Sequence, residues 1–320
     1  MQSIISAKNI IKKYATHTAL DDVSIEIPAQ SIFGLLGPNG AGKTSLIRII
    51  NQITAPDSGE VFFDGEKLNP SNIAQIGYLP EERGLYKKMK VEEQALYLAQ
   101  LKGLKKSEAK QRLNYWFEKL DMDAWRNKRI EELSKGMQQK VQFIVTVIHH
   151  PKLLILDEPF SGFDPINANI IKNEILHLKK EGATILFSTH NMESVEELCD
   201  NIALLHQSKK ILDGSVKEIR KQHRTGLFEI IFTGTIITFT NSLWIYGTLI
   251  EHGKEEEFCK AIVQVTERFT SNQLLQAVLT GVEVHSFREI IPSMNDIFIS
   301  EINKEKLEVI ELVAVERNQH

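Results

Sequence analysis

The sequence predicts an α/β layered fold followed by a smaller α+β domain. Three observations carry this. Compact apolar runs at Ser31–Leu36, Leu153–Leu156 and Thr184–Phe187 are bounded by Gly, Pro, Asp or Ser and separated by helical segments. Such runs read as strands buried on both faces of a parallel sheet, and strands alternating with helices build layers. A glycine-rich loop joins the first run to an apolar helix beginning at Ser45. After Gly226 the pattern changes to short strands and helices without glycine-rich loops.

Composition agrees. The 320 residues are long for one domain and suit two. Hydrophobic residues at 42% and charged residues at 25% are ordinary globular usage. They exclude a disordered, collagen-like or fully membrane-embedded chain. The net charge of −4 gives no global basic field to hold nucleic acid. Two cysteines, Cys199 and Cys259, form no disulfide framework and fit a reducing compartment.

The elements follow in order. Met1–Tyr14 has no apolar core long enough for a signal peptide. Ile4–Ile11, Val23–Ile27 and Glu60–Asp64 read as antiparallel edge strands. From Val91 to His150 the pattern is helical, with Ala95, Leu98, Ala99 and Leu101 at helical spacing and Leu113, Trp116, Phe117 and Leu120 repeating it. The lysines around them read as a solvated helix surface. A basic helical stretch, Lys217–Arg224, ends at Gly226. The expected domains are therefore 1–218, with a helical subdomain over about 85–150, and 225–312. Ile230–Ile250 is uncharged and about as long as a spanning helix. It holds five threonines, though, and begins as the alternation Phe228, Ile230, Phe232. It therefore reads as a strand–helix–strand unit. Ser271–Leu279 is helical and Gly281–Phe287 strand-like.

The chemistry lies in two motifs. Gly37-Pro38-Asn39-Gly40-Ala41-Gly42-Lys43-Thr44 fits G-x-x-x-x-G-K-[ST], after a strand and before a helix. The glycines let backbone N–H groups curl around phosphate oxygens, and the helix N-terminus adds partial positive charge. Lys43 can reach the β- and γ-phosphates, and the Thr44 hydroxyl can ligate Mg²⁺. Leu153-Leu154-Ile155-Leu156-Asp157-Glu158-Pro159 is an apolar strand delivering two acids to its C-terminal end, where ligands of α/β sheets collect. One acid can hold Mg²⁺ through a water, and the next can polarise an attacking water.

With these motifs in place, the sequence resembles the ATP-binding subunit of an ABC transporter over about residues 3–215. Leu133-Ser134-Lys135-Gly136-Met137 stands where that family carries LSGGQ, keeping Ser134 and Gly136 but departing at Lys135 and Met137. Ser161-Gly162-Phe163-Asp164 stands at the D-loop. His190, after Leu186-Phe187-Ser188-Thr189, resembles the family's switch histidine, and Tyr14 the aromatic that stacks on adenine. Glu81 occupies the position where the family usually has Gln. A carboxylate remains a hard oxygen ligand for Mg²⁺ but adds negative charge. Residues 225–310 resemble the accessory C-terminal domain of some exporter-type subunits, most clearly at Ser293–Ile299.

The resemblance implies an ATPase that docks on a separate membrane permease at the inner face of the cell membrane and powers export. Two copies would sandwich two ATPs. Each nucleotide would be bound by Tyr14 and Gly37–Ser45 of one chain and by Ser134 and Gly136 of the other. Glu158 would be the general base, with Lys43, His190 and Mg²⁺ (on Thr44, Asp157 and Glu81) stabilising charge. The competing class is an ABC-type ATPase acting on nucleic acid or ribosomes. Such proteins usually carry two cassettes or a long coiled-coil insertion, and this chain has neither. A nucleotide sensor without turnover would lack Glu158.

Overall fold

Residues 2–82, 84–255 and 257–304 are described by a computed structural model, and three sheets organise them. They divide into two compact units, one built on residues up to Val216 and one on Lys217–Asn303.

The first unit opens with β1 (Ser3–Tyr14), β2 (His17–Pro28), β3 (Ile32–Leu36), α1 (Lys43–Ile50), β4 (Ser58–Phe63), β5 (Glu66–Lys67) and β6 (Ile76–Leu79). It continues with α2 (Val91–Leu101), α3 (Lys106–Lys119), α4 (Lys135–Val147), β7 (Leu153–Asp157) and α5 (Pro165–Lys180). It closes with β8 (Thr184–Ser188), α6 (Met192–Leu198), β9 (Asn201–His206) and β10 (Lys209–Ser215). The central sheet has the order β10-β9-β3-β8-β7-β6. Its strands are parallel except for β10, which pairs antiparallel with β9. Every residue of β3, β7 and β8 is buried, as expected of strands covered on both faces.

A second, antiparallel sheet has the order β2-β1-β4-β5. The expectation of three edge strands is corrected here. Of the three, only β2 is at an edge: β1 lies between β2 and β4, and β4 between β1 and β5, so both are interior. β1 buries Ile4, Ile5, Ala7 and Ile10, with a register shift between Ala7 and Ile10, against the core that also takes Phe33 and Leu35 of β3 and Leu46 and Ile50 of α1. The helices α2, α3 and α4 pack on one another, with Trp116 edge-to-face on Phe143 at 5.9 Å.

The second unit carries α7 (Val216–Gln222), β11 (Leu227–Thr233), α8 (Ile236–Leu243), β12 (Gly247–Glu255), β13 (Phe258–Val265), α9 (Ser271–Leu279) and β14 (Glu283–Glu289). Residues 294–304 are helical. Its sheet, β12-β13-β11-β14, is wholly antiparallel. Phe228, Ile230, Phe232, Phe239, Val263 and Leu274 belong to a core of its own. The uncharged stretch Ile230–Ile250 is divided among β11, α8 and β12. Among the described residues no helix is long and apolar enough to cross a membrane.

Candidate functional site

The glycine-rich loop leaves the C-terminal end of β3 and enters α1 at Lys43. Two of its glycines are required by geometry. Gly37 has φ 146°, and a Cβ there would lie 2.3 Å from the Leu205 carbonyl oxygen; Gly42 has φ 109°, and its Cβ would lie 2.3 Å from that of Ala19. Any side chain at either would break the loop's seat on β2 and β9. No side chain caps α1 and no acid stands in its first turn, so the helix's positive end is left for an anion. Thr44 in that turn is exposed.

Lys43 is buried. Its Nζ donates to the carbonyls of Gly37 at 2.6 Å and Pro38 at 3.1 Å. Burial holds its pKa below the ordinary lysine value, against the opposing charges of Glu158, Asp157 and Glu81.

Those acids come from neighbouring strand ends. β7 and β8 lie side by side with Asp157 opposite Ser188. Asp157 is buried. Burial pushes its pKa up, and the charges of Glu81 and Glu158 push the same way, against Lys43. The next residue, Glu158, turns out of the strand at φ 47°. Its N–H donates to the Ser188 carbonyl at 2.9 Å. Its Oε1 accepts from the backbone N–H of His190 at 3.0 Å and meets His190 Nδ1 at 2.6 Å. An ionised carboxylate only accepts, so Nδ1 carries the proton of that bond. Glu158 Oε2 accepts from the Thr189 hydroxyl at 3.2 Å. The His190 ring is 74% exposed while the Glu158 side chain is 17% exposed: the imidazole faces outward over a sheltered carboxylate.

Glu81 lies exposed after β6, and its charge reaches both Lys43 and Asp157. Its loop is tethered by Gln142 Nε2, which donates to the carbonyls of Pro80 at 3.3 Å and Glu82 at 3.4 Å. Tyr14 ends β1, exposed, with Lys12 Nζ 5.4 Å from its ring centroid. It pairs with His17 across the turn. A cleft of about 640 Å³ lined by Lys13, His17, Pro38, Gly40 and Ser208 joins that turn to the glycine-rich loop.

The fold thus gathers Lys43, Asp157, Glu158 and His190, with the charge of Glu81, at the C-terminal end of the parallel sheet. Ser134 and Gly136 stand elsewhere, at the start of α4, where the Ser134 hydroxyl accepts from the Met137 N–H at 3.3 Å. Among the described residues no hydrogen bond or ion pair joins them to residues 37–45. Asp164 caps α5, accepting from the N–H groups of Ile166 and Asn167 at 3.0 Å. Sequence reasoning missed Thr189 and Gln142. Neither gave a sequence signal: Thr189 is one hydroxyl after a strand end, and Gln142 lies inside an amphipathic helix.

Comparison with known proteins finds matches to both parts of the chain. The family model described as ABC transporter matches residues 20–161. The model for the C-terminal domain of ATP-binding protein DrrA1-3-like matches residues 214–302. The ABC transporter ATP-binding protein YhaQ of Bacillus subtilis (strain 168) is 47% identical over 218 residues, 68% of this chain and 73% of that protein. An ABC transporter ATP-binding protein of Alkalihalophilus pseudofirmus is 40% identical over 268 residues, 84% of this chain and 98% of its own. A solved structure described as the ATP binding subunit of an ABC transporter superposes with TM-score 0.64 at 30% identity, over 69% of this chain and 93% of its own. Relatives at 32% identity include the lantibiotic transport ATP-binding protein SrtF of Streptococcus pyogenes and the linearmycin resistance ATP-binding protein LnrL of B. subtilis (strain 168).

Proposed function

The chain belongs to the ATP-binding proteins of ABC transporters, ATPases that work within a complex containing membrane components, and from that premise we propose that it drives export through a separate permease at the inner face of the membrane. The relatives named for lantibiotic transport and linearmycin resistance support the export direction. The net charge of −4 favours a permease over nucleic acid as partner.

The observation that carries the catalytic reading is the convergence of Lys43, Asp157, Glu158 and His190 at the ends of β3, β7 and β8. Gly37–Ser45 wrap the phosphates of ATP and Tyr14 packs on its base. Lys43 exchanges its two carbonyl partners for phosphate oxygens. Glu158 takes a proton from the attacking water as general base, and His190 contacts the γ-phosphate. Ser134 and Gly136 complete the site of a second copy, so two chains enclose two nucleotides.

The donors present suit Mg²⁺. That ion takes one or two carboxylates plus substrate phosphates and waters rather than an all-protein cage. Asp157, buried beside two like charges, is a carboxylate that a divalent cation would balance. Thr44, Asp157 and Glu81 are assigned to hold it. When bound, it neutralises charge on the transferred phosphoryl group.

The test uses two variants of the full chain. Lys43→Ala is expected to weaken ATP binding and abolish hydrolysis. Glu158→Gln keeps shape but removes the proton acceptor. Turnover is expected to fall about 10²–10⁴-fold, with ATP still bound and an ATP-dependent dimer accumulating on gel filtration. Wild-type turnover in Glu158→Gln, with only monomer, would refute both the base and the sandwich.

A further inference from the structure

We propose that Thr189 is a positioning residue for hydrolysis, one whose hydroxyl selects the lone pair of Glu158 that faces the attacking water. The inference rests on Glu158 as general base. Thr189 is 2% exposed and lies between β8 and α6. Its Oγ1 accepts the Asn191 N–H at 3.1 Å. With that side of the oxygen occupied, its hydrogen is aimed at Glu158 Oε2, 3.2 Å away.

A carboxylate offers about four acceptor positions. On Glu158, Oε1 receives two donors, the backbone N–H and the Nδ1–H of His190. Oε2 receives one, from Thr189. One acceptor position remains, on Oε2, and the direction of the Thr189 bond fixes where it points. The root of the side chain is held by the same stretch, because the Glu158 N–H donates to the Ser188 carbonyl. Residues 188–190 therefore grip the carboxylate at its root and at both oxygens. A general base acts only if its free lone pair meets the substrate proton within hydrogen-bond reach. Small misplacements are costly to rate without weakening substrate binding. The His190 ring is exposed and, in the proposed reaction, contacts the γ-phosphate. Thr189 is buried, and its hydroxyl is the donor that orients Oε2, while the His190 backbone N–H holds Oε1.

Thr189→Val keeps the shape and deletes the hydroxyl; Thr189→Ser keeps the hydroxyl. Steady-state ATPase kinetics of the full chain with Mg-ATP, with melting curves, give the readout. Thr189→Val is expected to lose about 10- to 100-fold in kcat with KM for ATP within about twofold. Thr189→Ser is expected to restore most of kcat. A purely structural role through the Asn191 N–H would instead lower the melting temperature and raise KM along with any change in kcat. If Thr189→Val does not fold, Thr189→Cys replaces it: the thiol donates weakly, so kcat should fall below that of Thr189→Ser at unchanged KM. Wild-type kcat in Thr189→Val, or equal kcat in the Ser and Cys variants, overturns the proposal. Glu158→Gln, run alongside, separates the levels. If it is inactive while Thr189→Val is normal, only the positioning role falls. If it is active, the base assignment falls first.

Discussion

Asp157 is a buried carboxylate with two others for company, and its consequence is a dependence of stability on pH. Burial and the charges of Glu81 and Glu158 raise its pKa above the ordinary Asp value of 3.8. Between that value and the raised one, the folded chain binds more protons than the unfolded chain, so stability falls as pH rises through the window. Above it the penalty is fully present. Asp157→Asn removes the charge, so the nucleotide-free variant should have a higher melting temperature than the wild type at neutral pH. The gain should vanish below the ordinary Asp range, and Mg-ATP should raise the melting temperature of the wild type more than that of the variant. Equal melting of the two proteins at neutral pH would contradict the electrostatic account. The acids Asp157 and Glu158 were legible in the sequence because four apolar residues deliver them to a strand end. Thr189 was not. Its meaning depends on the acceptor bond to Asn191 and on the lateral placing of β7 against β8, and neither has a sequence signature.

At the scale of elements, two helix starts make opposite demands on their glycines. α1 begins behind Gly42, at positive φ with the Ala19 carbonyl 2.3 Å from any Cβ. Gly42→Ala should therefore lower the melting temperature and abolish ATP binding together. α4 begins around Gly136, where an added Cβ would find Phe163 Cδ1 at 3.8 Å, ordinary contact. Gly136→Ala should fold as well as the wild type, or better by up to about 1 kcal/mol, and bind ATP as a monomer. Its turnover and ATP-dependent dimerisation should nonetheless fail if the start of α4 meets a second chain's nucleotide. Normal turnover in Gly136→Ala would remove Ser134 and Gly136 from the site. The buried strands β3, β7 and β8 and helices α1 to α4 were readable from apolar runs and periodicity; the short β6 was not. The β9–β10 hairpin was not, because its turn places Gln207 at φ 43° and Ser208 at φ 70° without the Asn-Gly or Asp-Gly pair that usually announces such a turn. The interior place of β1 was hidden too, since β4, its second neighbour, comes only after β2, β3 and α1 in the chain.

For the whole molecule, every residue assigned to nucleotide or metal precedes Val216, and residues 217–303 carry their own core. A chain of residues 1–216 should therefore fold and bind ATP as the full chain does, while dimerising less well or supporting less transport with its permease. A folded 1–216 chain that no longer binds ATP would show that the site draws on the second unit. The order of strands in the central sheet has a further consequence, for synthesis. β3, every residue of it apolar or glycine and buried, sits between β8 and β9, which leave the ribosome on the order of ten seconds after it. Contacts this distant in sequence form late. The antiparallel strands β1, β2 and β4, all made within the first 63 residues, share a core with Phe33 and Leu35. They are the surface on which the nascent phosphate-binding strand can shelter until its neighbours emerge.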